Sequence, residues 1–279
     1  MLATLEPIIR YARENSTAVA SVNVFGYEDA LAVTEAAEAA GVPVILAVNK
    51  DLAEFMPLSI TAHTYRKMAE AASVDVCVHL DHCYDQSIIQ QALDEGFTSV
   101  MFDGSQLPLE QNIELTSKVV SLAKSYGATV EGEIGSVSYT SGRDHIKHEL
   151  TKPDNAIEFA RNSGIDVMAV SVGNKHRMEE RDSIIDFDLL QSISKVTDAP
   201  LCIHGVSGIP DEDIRKLATQ TNTVKLNVAT IFRMEWGNRL RSLLNENPKE
   251  YDRLFFMRAL HPYLVRKISS FLSLLIPEK

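Results

Sequence analysis

The stretch PLCIHGVSGIPDEDIRKLATQTNTVKLNVAT, residues 200–230, indicates the type of architecture because it contains one complete strand–helix–strand unit. Pro200–Ile203 and Thr223–Val228 are short apolar runs of the kind that form buried strands. Between them, Pro210 opens an amphipathic helical pattern over Asp211–Thr219, with acidic residues near its positive N-terminus. Two strands joined through a helix are predicted to lie parallel in one sheet.

The same alternation extends along the whole chain. Eight strand-like runs are separated by helical patterns, at Val19–Val24, Pro43–Val48, Val74–Leu80, Ser99–Phe102, Thr129–Ile134, Asp166–Val172, Pro200–Ile203 and Thr223–Val228. Eight such units favour a closed (β/α)8 TIM barrel. A doubly wound open sheet is the alternative, but no GxGxxG motif follows the first strand, which disfavours a dinucleotide-binding fold. No linker divides the sequence, so residues 1–279 are predicted to form one domain that ends in an apolar helix over Ile268–Lys279.

Composition and charge exclude several classes of function. The chain carries a formal net charge of −11 and has no basic tract, so we expect no nucleic-acid partner and no binding to an anionic membrane face. No apolar run approaches the roughly 20 residues that span a bilayer. The N-terminus lacks the build of a signal peptide, and three cysteines without CxxC spacing fit a reducing compartment. These features predict a cytoplasmic protein.

Polar side chains follow every predicted strand. The residues at these positions are Asn23, Asn49, Asp81, His82, Asp103, Glu133, Asn174, His176, His204 and Asn227. In a barrel of this kind, catalytic groups come from the C-terminal ends of the strands. The pattern therefore predicts an active site at one rim.

Three histidines at this rim, His82, His176 and His204, predict a divalent metal site. Imidazole is the usual zinc donor, and a catalytic zinc keeps an open position, for which Glu133 is a candidate exchangeable ligand. The alternative is that each histidine merely caps its strand. Asp81 is placed to exchange a proton with a substrate oxygen, or instead to orient a ligand histidine.

His79 and Glu131 each stand two positions before a rim residue and are predicted to lie deeper in the barrel. Side chains two apart in a strand point the same way, so His79 lies below Asp81 and Glu131 lies below Glu133. We expect His79 to be buried and hydrogen-bonded. We expect Glu131 to be the buried partner of a cation and not a metal ligand.

A glycine-rich turn after the seventh strand, His204–Gly208, offers free backbone N–H groups to a phosphate. Alone, such a turn is weak evidence, but phosphate sites in barrels often lie after strands seven and eight. The following strand adds the amide of Asn227 and the hydroxyl of Thr230 in the same place.

Six motifs together resemble the class II, metal-dependent ketose-bisphosphate aldolases. They are HLDH (79–82), FDGS (102–105), EGEIG (131–135), VGNKH (172–176), IHGVSG (203–208) and KLNVAT (225–230), and their order and spacing match along nearly the whole chain. The resemblance implies a zinc-dependent barrel that reversibly cleaves a phosphorylated ketose to dihydroxyacetone phosphate and an aldehyde. A zinc hydrolase on the same rim and a non-catalytic sugar-phosphate-binding homologue are the alternatives.

The resemblance also implies roles for individual residues. His82, His176 and His204 match the zinc ligands, with Glu133 as the alternate ligand, and Asp81 matches the acid that protonates the aldehyde oxygen. The remaining matches are Asn23 for substrate contact, Gly205, Ser207, Asn227 and Thr230 for the phosphate, and Arg258 for the phosphate of a neighbouring subunit. Arg258 thus implies a homodimer or homotetramer, and we also expect a monovalent cation near the phosphate site.

Three departures from the family pattern predict an aldolase with a different ketose phosphate substrate. The family's acidic GGxED loop is replaced by residues 136–144, in which Tyr139, Asp144 or the adjacent His145 are candidate substitutes. Arg177 stands where a glycine usually follows the histidine after strand six. Asn49 replaces a small residue after strand two.

Overall fold

Eight parallel strands close into a barrel in the computed structural model, which describes residues 1–139 and 148–277. The strands are β1 (Val19–Asn23), β2 (Val44–Val48), β3 (Val76–Cys83), β4 (Ser99–Phe102), β5 (Thr129–Ile134), β6 (Val167–Val170), β7 (Leu201–Ile203) and β8 (Thr223–Val228). Each strand pairs with its neighbours in chain order, and pairing of β8 with β1 completes the ring. The predicted (β/α)8 fold is therefore confirmed, with strand ends within two or three residues of the predicted ones.

Helices surround this barrel. They are α1 (Leu5–Glu14), α2 (Tyr27–Ala40), α3 (Lys50–Phe55), α4 (Leu58–Ala71), α5 (Gln86–Asp94), α6 (Leu109–Ser125), α7 (Pro153–Ser163), α8 (Phe187–Val196), α9 (Asp211–Gln220), α10 (Thr230–Glu246) and α11 (Arg253–Leu275). Among the described residues, no helix is long and apolar enough to cross a membrane.

Two of the buried apolar clusters in the described part of the chain build the barrel itself. Buried side chains between the strands and the outer helices form the larger one. A smaller cluster fills the N-terminal end of the barrel, where Leu5, Ile8 and Ala12 of α1 pack on Val19, Ile45 and other strand residues. Helix α1 thereby closes the bottom of the barrel, so the opposite, C-terminal rim is the open end.

The last helix differs from the prediction. It begins at Arg253 instead of Ile268 and contains Pro262, and it packs along the side of the barrel against α2. The Thr17 hydroxyl donates a hydrogen bond to the Leu275 carbonyl oxygen, which fixes its C-terminal end.

Candidate active site at the C-terminal rim

The three predicted histidines converge at the open rim from three different strands. The Nε2 atom of His82 lies 2.8 Å from the Nδ1 atom of His204, and the ring centre of His176 lies 4.9 Å from that of His82. One ring nitrogen from each of the three lies within 4.8 Å of the others. This set of facing imidazoles fits a divalent metal of the zinc type, because such an ion takes three nitrogen donors and keeps a fourth position.

The backbone of His82 explains how two consecutive residues of β3 reach the same pocket. Neighbouring side chains in a regular strand point to opposite faces. His82 has a φ of +48°, and the pairing of β3 with β4 shifts its register after Leu80. This local irregularity turns His82 inward beside Asp81. Left-handed conformations in residues other than glycine are uncommon, although histidine adopts them more readily than most.

Two carboxylates contact the outer side of His82. Its Nδ1 atom lies 2.9 Å from Asp103 Oδ2 and 3.7 Å from Glu133 Oε2. The bond to Asp103 leaves the Nε2 atom of His82 to face the histidine cluster. Burial, together with the nearby Asp103 carboxylate, raises the pKa of Glu133 well above its usual range. A cation in the cluster would favour the ionised form of Glu133, as expected of an exchangeable ligand.

A buried ion pair lies beneath the histidines. The Nζ atom of Lys225 is 2.7 Å from Glu131 Oε2, and Glu131 Oε1 is 2.8 Å from His204 Nε2; both the lysine and the glutamate are buried. Glu131 is thus the partner of a cation, as the sequence predicts. The contact with Glu131 engages the Nε2 atom of His204 and leaves its Nδ1 atom for the cluster.

His79 lies one layer below the cluster and is fully buried. Its Nδ1 atom is 2.8 Å from the Ser99 hydroxyl, and its Nε2 atom is 3.5 Å from Glu131. The expectation of a buried, hydrogen-bonded histidine is confirmed. Burial, reinforced by the nearby Lys225, lowers the pKa of His79 to about 3.

Asp81 is held between two asparagines. Asn23 Nδ2 donates to Asp81 Oδ2 at 2.8 Å, and Asn227 Nδ2 donates to Asp81 Oδ1 at 3.0 Å. Lys225 donates in turn to the side-chain oxygen of Asn227. Burial would raise the pKa of Asp81, but the adjacent His82 and His204 outweigh burial and lower it to about 2. The side chain is therefore an oriented carboxylate at neutral pH.

The glycine-rich turn lies against the N-terminus of α10. Residues Val206–Gly208 form a single 3-10 turn, and the Ser207 hydroxyl accepts a hydrogen bond from the Ile231 backbone N–H at 3.1 Å. Thr230 is the first residue of α10 and, like Gly205 and Ser207, lines the pocket that contains the histidines. A helix N-terminus beside a glycine turn is a favourable place for an anion.

Gly205 adopts a backbone conformation that a larger residue would strain. Its φ is +68°, and a Cβ atom there would lie 2.2 Å from the Lys175 carbonyl oxygen. We expect Gly205→Ala to lower the free energy of unfolding by about 1–3 kcal/mol and to weaken phosphate binding, because the turn has to move. Chemical denaturation and calorimetry with inorganic phosphate would measure both.

Gly41 provides the matched control for this substitution. Its φ is +67°, but a Cβ atom there would contact nothing within 4 Å. Gly41→Ala therefore isolates the conformational cost of the left-handed region. Equal losses of stability in the two variants, with unchanged phosphate binding, would contradict a role for close packing at Gly205.

The structure places the remaining predicted residues as follows. Asn49 accepts a hydrogen bond from the Leu52 backbone N–H and so caps α3, a helix missing from the sequence prediction. Arg258 is exposed on α11 and is not among the described residues that line the histidine pocket. Asp144, His145 and the side chain of Tyr139 lie outside the described residues.

Several residues at the site were not assigned a role from the sequence, among them Asp103, Lys225 and Arg233. Asp103 contacts His82, and Lys225 forms an ion pair with Glu131. The exposed Arg233 of α10 lines the pocket. Asp103 was visible as a polar residue at a strand end. Lys225 was visible as the one charged residue of strand β8, and a lysine is rarely fully buried without a partner. Arg233 carried no signal beyond its place one turn after Thr230.

Fold and site together define a (β/α)8-barrel enzyme whose polar groups meet at the C-terminal rim. The family model described as "Fructose-bisphosphate aldolase class-II" matches residues 3–275. The chain belongs to this family, and it is a lyase that catalyses aldol cleavage.

Relatives in the family carry different substrate names. The chain is 33% identical to a fructose-bisphosphate aldolase of Staphylococcus epidermidis over 260 residues, covering 90% of this chain and 89% of the relative. It is 32% identical to a sulfofructosephosphate aldolase of Alkalicoccus urumqiensis, covering 88% and 86%. The solved structure of the YdjI aldolase from Escherichia coli K12 superposes with a TM-score of 0.85 at 29% identity, covering 99% of this chain and 97% of that one.

Proposed function

We propose that this protein is a zinc-dependent aldolase that reversibly cleaves a phosphorylated ketose to dihydroxyacetone phosphate and an aldehyde. The observation that carries the proposal is the convergence of three imidazoles beside an oriented carboxylate and a glycine turn at a helix N-terminus. A phosphorylated ketone needs all three parts. The same combination disfavours the hydrolase alternative, which has no use for an anion cradle.

The metal is proposed to be held by His82, His176 and His204, with Glu133 as the exchangeable ligand. Once bound, zinc would act as a Lewis acid on the ketone and lower the energy of the negative charge left after bond cleavage. No Schiff-base lysine is then needed. This agrees with the position of Lys225, the buried lysine of the site, which is already paired with Glu131.

Asp81 is proposed to move the proton on the aldehyde half of the substrate. In the cleavage direction its carboxylate accepts the proton of the hydroxyl that becomes the aldehyde oxygen, and in the synthetic direction it returns that proton. Asn23 and Asn227 occupy one lone pair on each carboxylate oxygen, so the remaining lone pairs face a fixed direction. The pocket also contains Gly205, Ser207 and Thr230, which are proposed to bind the phosphate.

The exposed position of Arg258 supports the proposal that this arginine serves the phosphate site of a second subunit in a homodimer or homotetramer. The histidine pocket of the same subunit is instead lined by cationic side chains from other elements, Lys50, Arg177 and Arg233. A monovalent cation near the phosphate site, a cytoplasmic location and a single domain over residues 1–279 remain predictions.

Removing the metal should strongly slow enolisation of dihydroxyacetone phosphate. Proton NMR in heavy water would follow exchange of one carbon-bound proton, a half-reaction that requires no knowledge of the aldehyde. We expect chelation to slow this exchange at least about a hundredfold, because the electrostatic contribution of a Lewis acid is typically several kcal/mol, and zinc to restore it.

Circular dichroism of the chelated protein provides the control, since it separates loss of metal from loss of fold. Absence of exchange in a folded, zinc-loaded protein would favour the non-catalytic sugar-phosphate-binding alternative. Exchange that persists after complete removal of metal would contradict the metal-dependent mechanism.

A further inference from the structure

An ion pair joins opposite sides of the barrel mouth. The Nη2 atom of Arg177, in the segment after β6, lies 3.6 Å from the Oδ2 atom of Asp51, which follows β2. In the closed ring, β2 and β6 are separated by four strand-to-strand steps, half of the circumference. The Arg177–Asp51 pair therefore crosses the mouth instead of linking neighbouring loops.

The pair borders the pocket that contains the histidines, Asp81 and the glycine turn. Both Arg177 and Asp51 line this pocket, whose volume is about 70 Å³. Ligand pockets usually measure about 300–1,000 Å³. Four of its lining residues also line an adjoining cavity of about 570 Å³, namely Asp51, Arg177, Thr230 and Arg233. The ion pair therefore lies where the narrow inner pocket meets the wider cavity.

The backbone of Arg177 points to a specific use for its side chain. Arg177 directly follows the proposed ligand His176 and has a φ of +59°. A residue other than glycine in this region costs on the order of 1 kcal/mol, and such strain tends to persist at ligand-binding positions. Glycine would adopt this backbone conformation without strain. The presence of an arginine instead therefore points to a use for its guanidinium group.

The charge and exposure of the Arg177–Asp51 pair favour replacement of Asp51 by a phosphate group as the partner of Arg177. The side chains of Arg177 and Asp51 are 35% and 44% exposed, and ion pairs this exposed contribute little free energy. A guanidinium binds phosphate through two parallel hydrogen bonds, and such bidentate binding is stronger than an exposed ion pair at 3.6 Å. Arg233 of α10 lines the same pocket and adds a second cation near Thr230.

We propose that Arg177 is a specificity-determining residue that exchanges Asp51 for the phosphate of the substrate. The phosphate breaks the pair across the mouth and takes the guanidinium, so a phosphorylated ketone opens the pocket and a neutral ketone does not. This inference rests on the proposed function, because it places the phosphate of the ketose in this pocket.

The test uses proton exchange of dihydroxyacetone phosphate and of neutral dihydroxyacetone by the zinc-loaded enzyme, with calorimetric binding of each compound. Arg177→Gly should raise KM for the phosphate ester about tenfold or more, with little change in kcat. It should lower KM for the neutral ketone about two- to fivefold, because the ion pair no longer closes the mouth. Asp51→Asn should lower that KM about two- to fivefold, because the competing partner is removed. Arg177→Lys keeps the charge and should fall between the wild type and Arg177→Gly.

The double variant Arg177→Gly/Asp51→Asn separates the proposal from a general effect of charge. If Asp51 acts through Arg177, the double variant should equal Arg177→Gly alone. Arg239→Met is the matched control, since Arg239 also lies on α10 but pairs with Glu246 outside the pocket lining. It should bind both compounds as the wild type does.

Two results overturn the inference. The first is that Arg177→Gly changes KM for the phosphate ester less than twofold. The second is that Asp51→Asn changes this KM by the same factor in the wild type and in Arg177→Gly. Absence of exchange in the wild type would instead reject the proposed function. Calorimetric binding of the phosphate ester that depends on Arg177 would support the inference even then.

Discussion

Asp81→Asn is expected to lower kcat for aldol cleavage about 10²–10⁴-fold, the usual contribution of a positioned proton-transfer group. The asparagine amide cannot accept the hydroxyl proton, and its NH₂ group would replace the acceptor of either the Asn23 or the Asn227 donor. Exchange of the carbon-bound proton of dihydroxyacetone phosphate should decrease much less, because that step does not involve the aldehyde oxygen. Kinetics on any ketose phosphate that the wild type cleaves would measure the first effect, and NMR the second.

Asp85→Asn is the matched control for this variant. Asp85 follows the same strand and caps α5 through the Ser87 backbone N–H, and asparagine caps helices equally well. Cleavage should therefore be retained. A zinc-loaded Asp81→Asn enzyme that cleaves at the wild-type rate would reject Asp81 as the proton-transfer group.

Lys225→Met is expected to cost about 3–5 kcal/mol of folding free energy, because it leaves the buried carboxylate of Glu131 without its cation. Lys225 also bonds to Asn227, which holds Asp81, and through Glu131 it orients His204. We therefore expect zinc affinity to fall about 10–100-fold in the same variant. Urea denaturation and competition with a fluorescent chelator would measure the two effects separately.

The double variant Lys225→Met/Glu131→Gln distinguishes a charge effect from a packing effect. Neutralising Glu131 removes the uncompensated buried charge, so the double variant should regain part of the stability lost in Lys225→Met. Zinc affinity should stay low, because the glutamine no longer presents a carboxylate to His204. A double variant less stable than Lys225→Met would show that the pair matters by shape and not by charge.

The fold was predictable because the strand signal is local. Buried parallel strands are short runs of apolar residues bounded by turns, so β4, β5 and β8 were predicted with the bounds that the structure has. Helix α3 is only six residues long and carries no apolar period. The beginning of α11 was hidden by Pro262, which normally argues against a helix interior.

The convergence of the candidate site residues was predictable, and the contacts between them were less so. Polar residues at strand ends predicted that His82, His176, His204 and Asp81 lie near one another, since a barrel brings strand ends together. The left-handed backbone of His82 depends on pairing between β3 and β4, which no local pattern contains. The contact between Arg177 and Asp51 joins positions 126 residues apart in sequence, and only the closed ring brings them within reach.

The buried Lys225–Glu131 pair also restricts how such a barrel can change over evolutionary time. Either residue replaced alone leaves an unpaired buried charge, at a cost of about 3–5 kcal/mol, which is a large share of the roughly 5–15 kcal/mol that stabilises a typical protein. Substitution of the pair thus requires two simultaneous changes, whereas the exposed Arg177–Asp51 pair can be altered one residue at a time. Descendants of such a chain would acquire new substrates at the mouth far more readily than a new arrangement beneath the histidines.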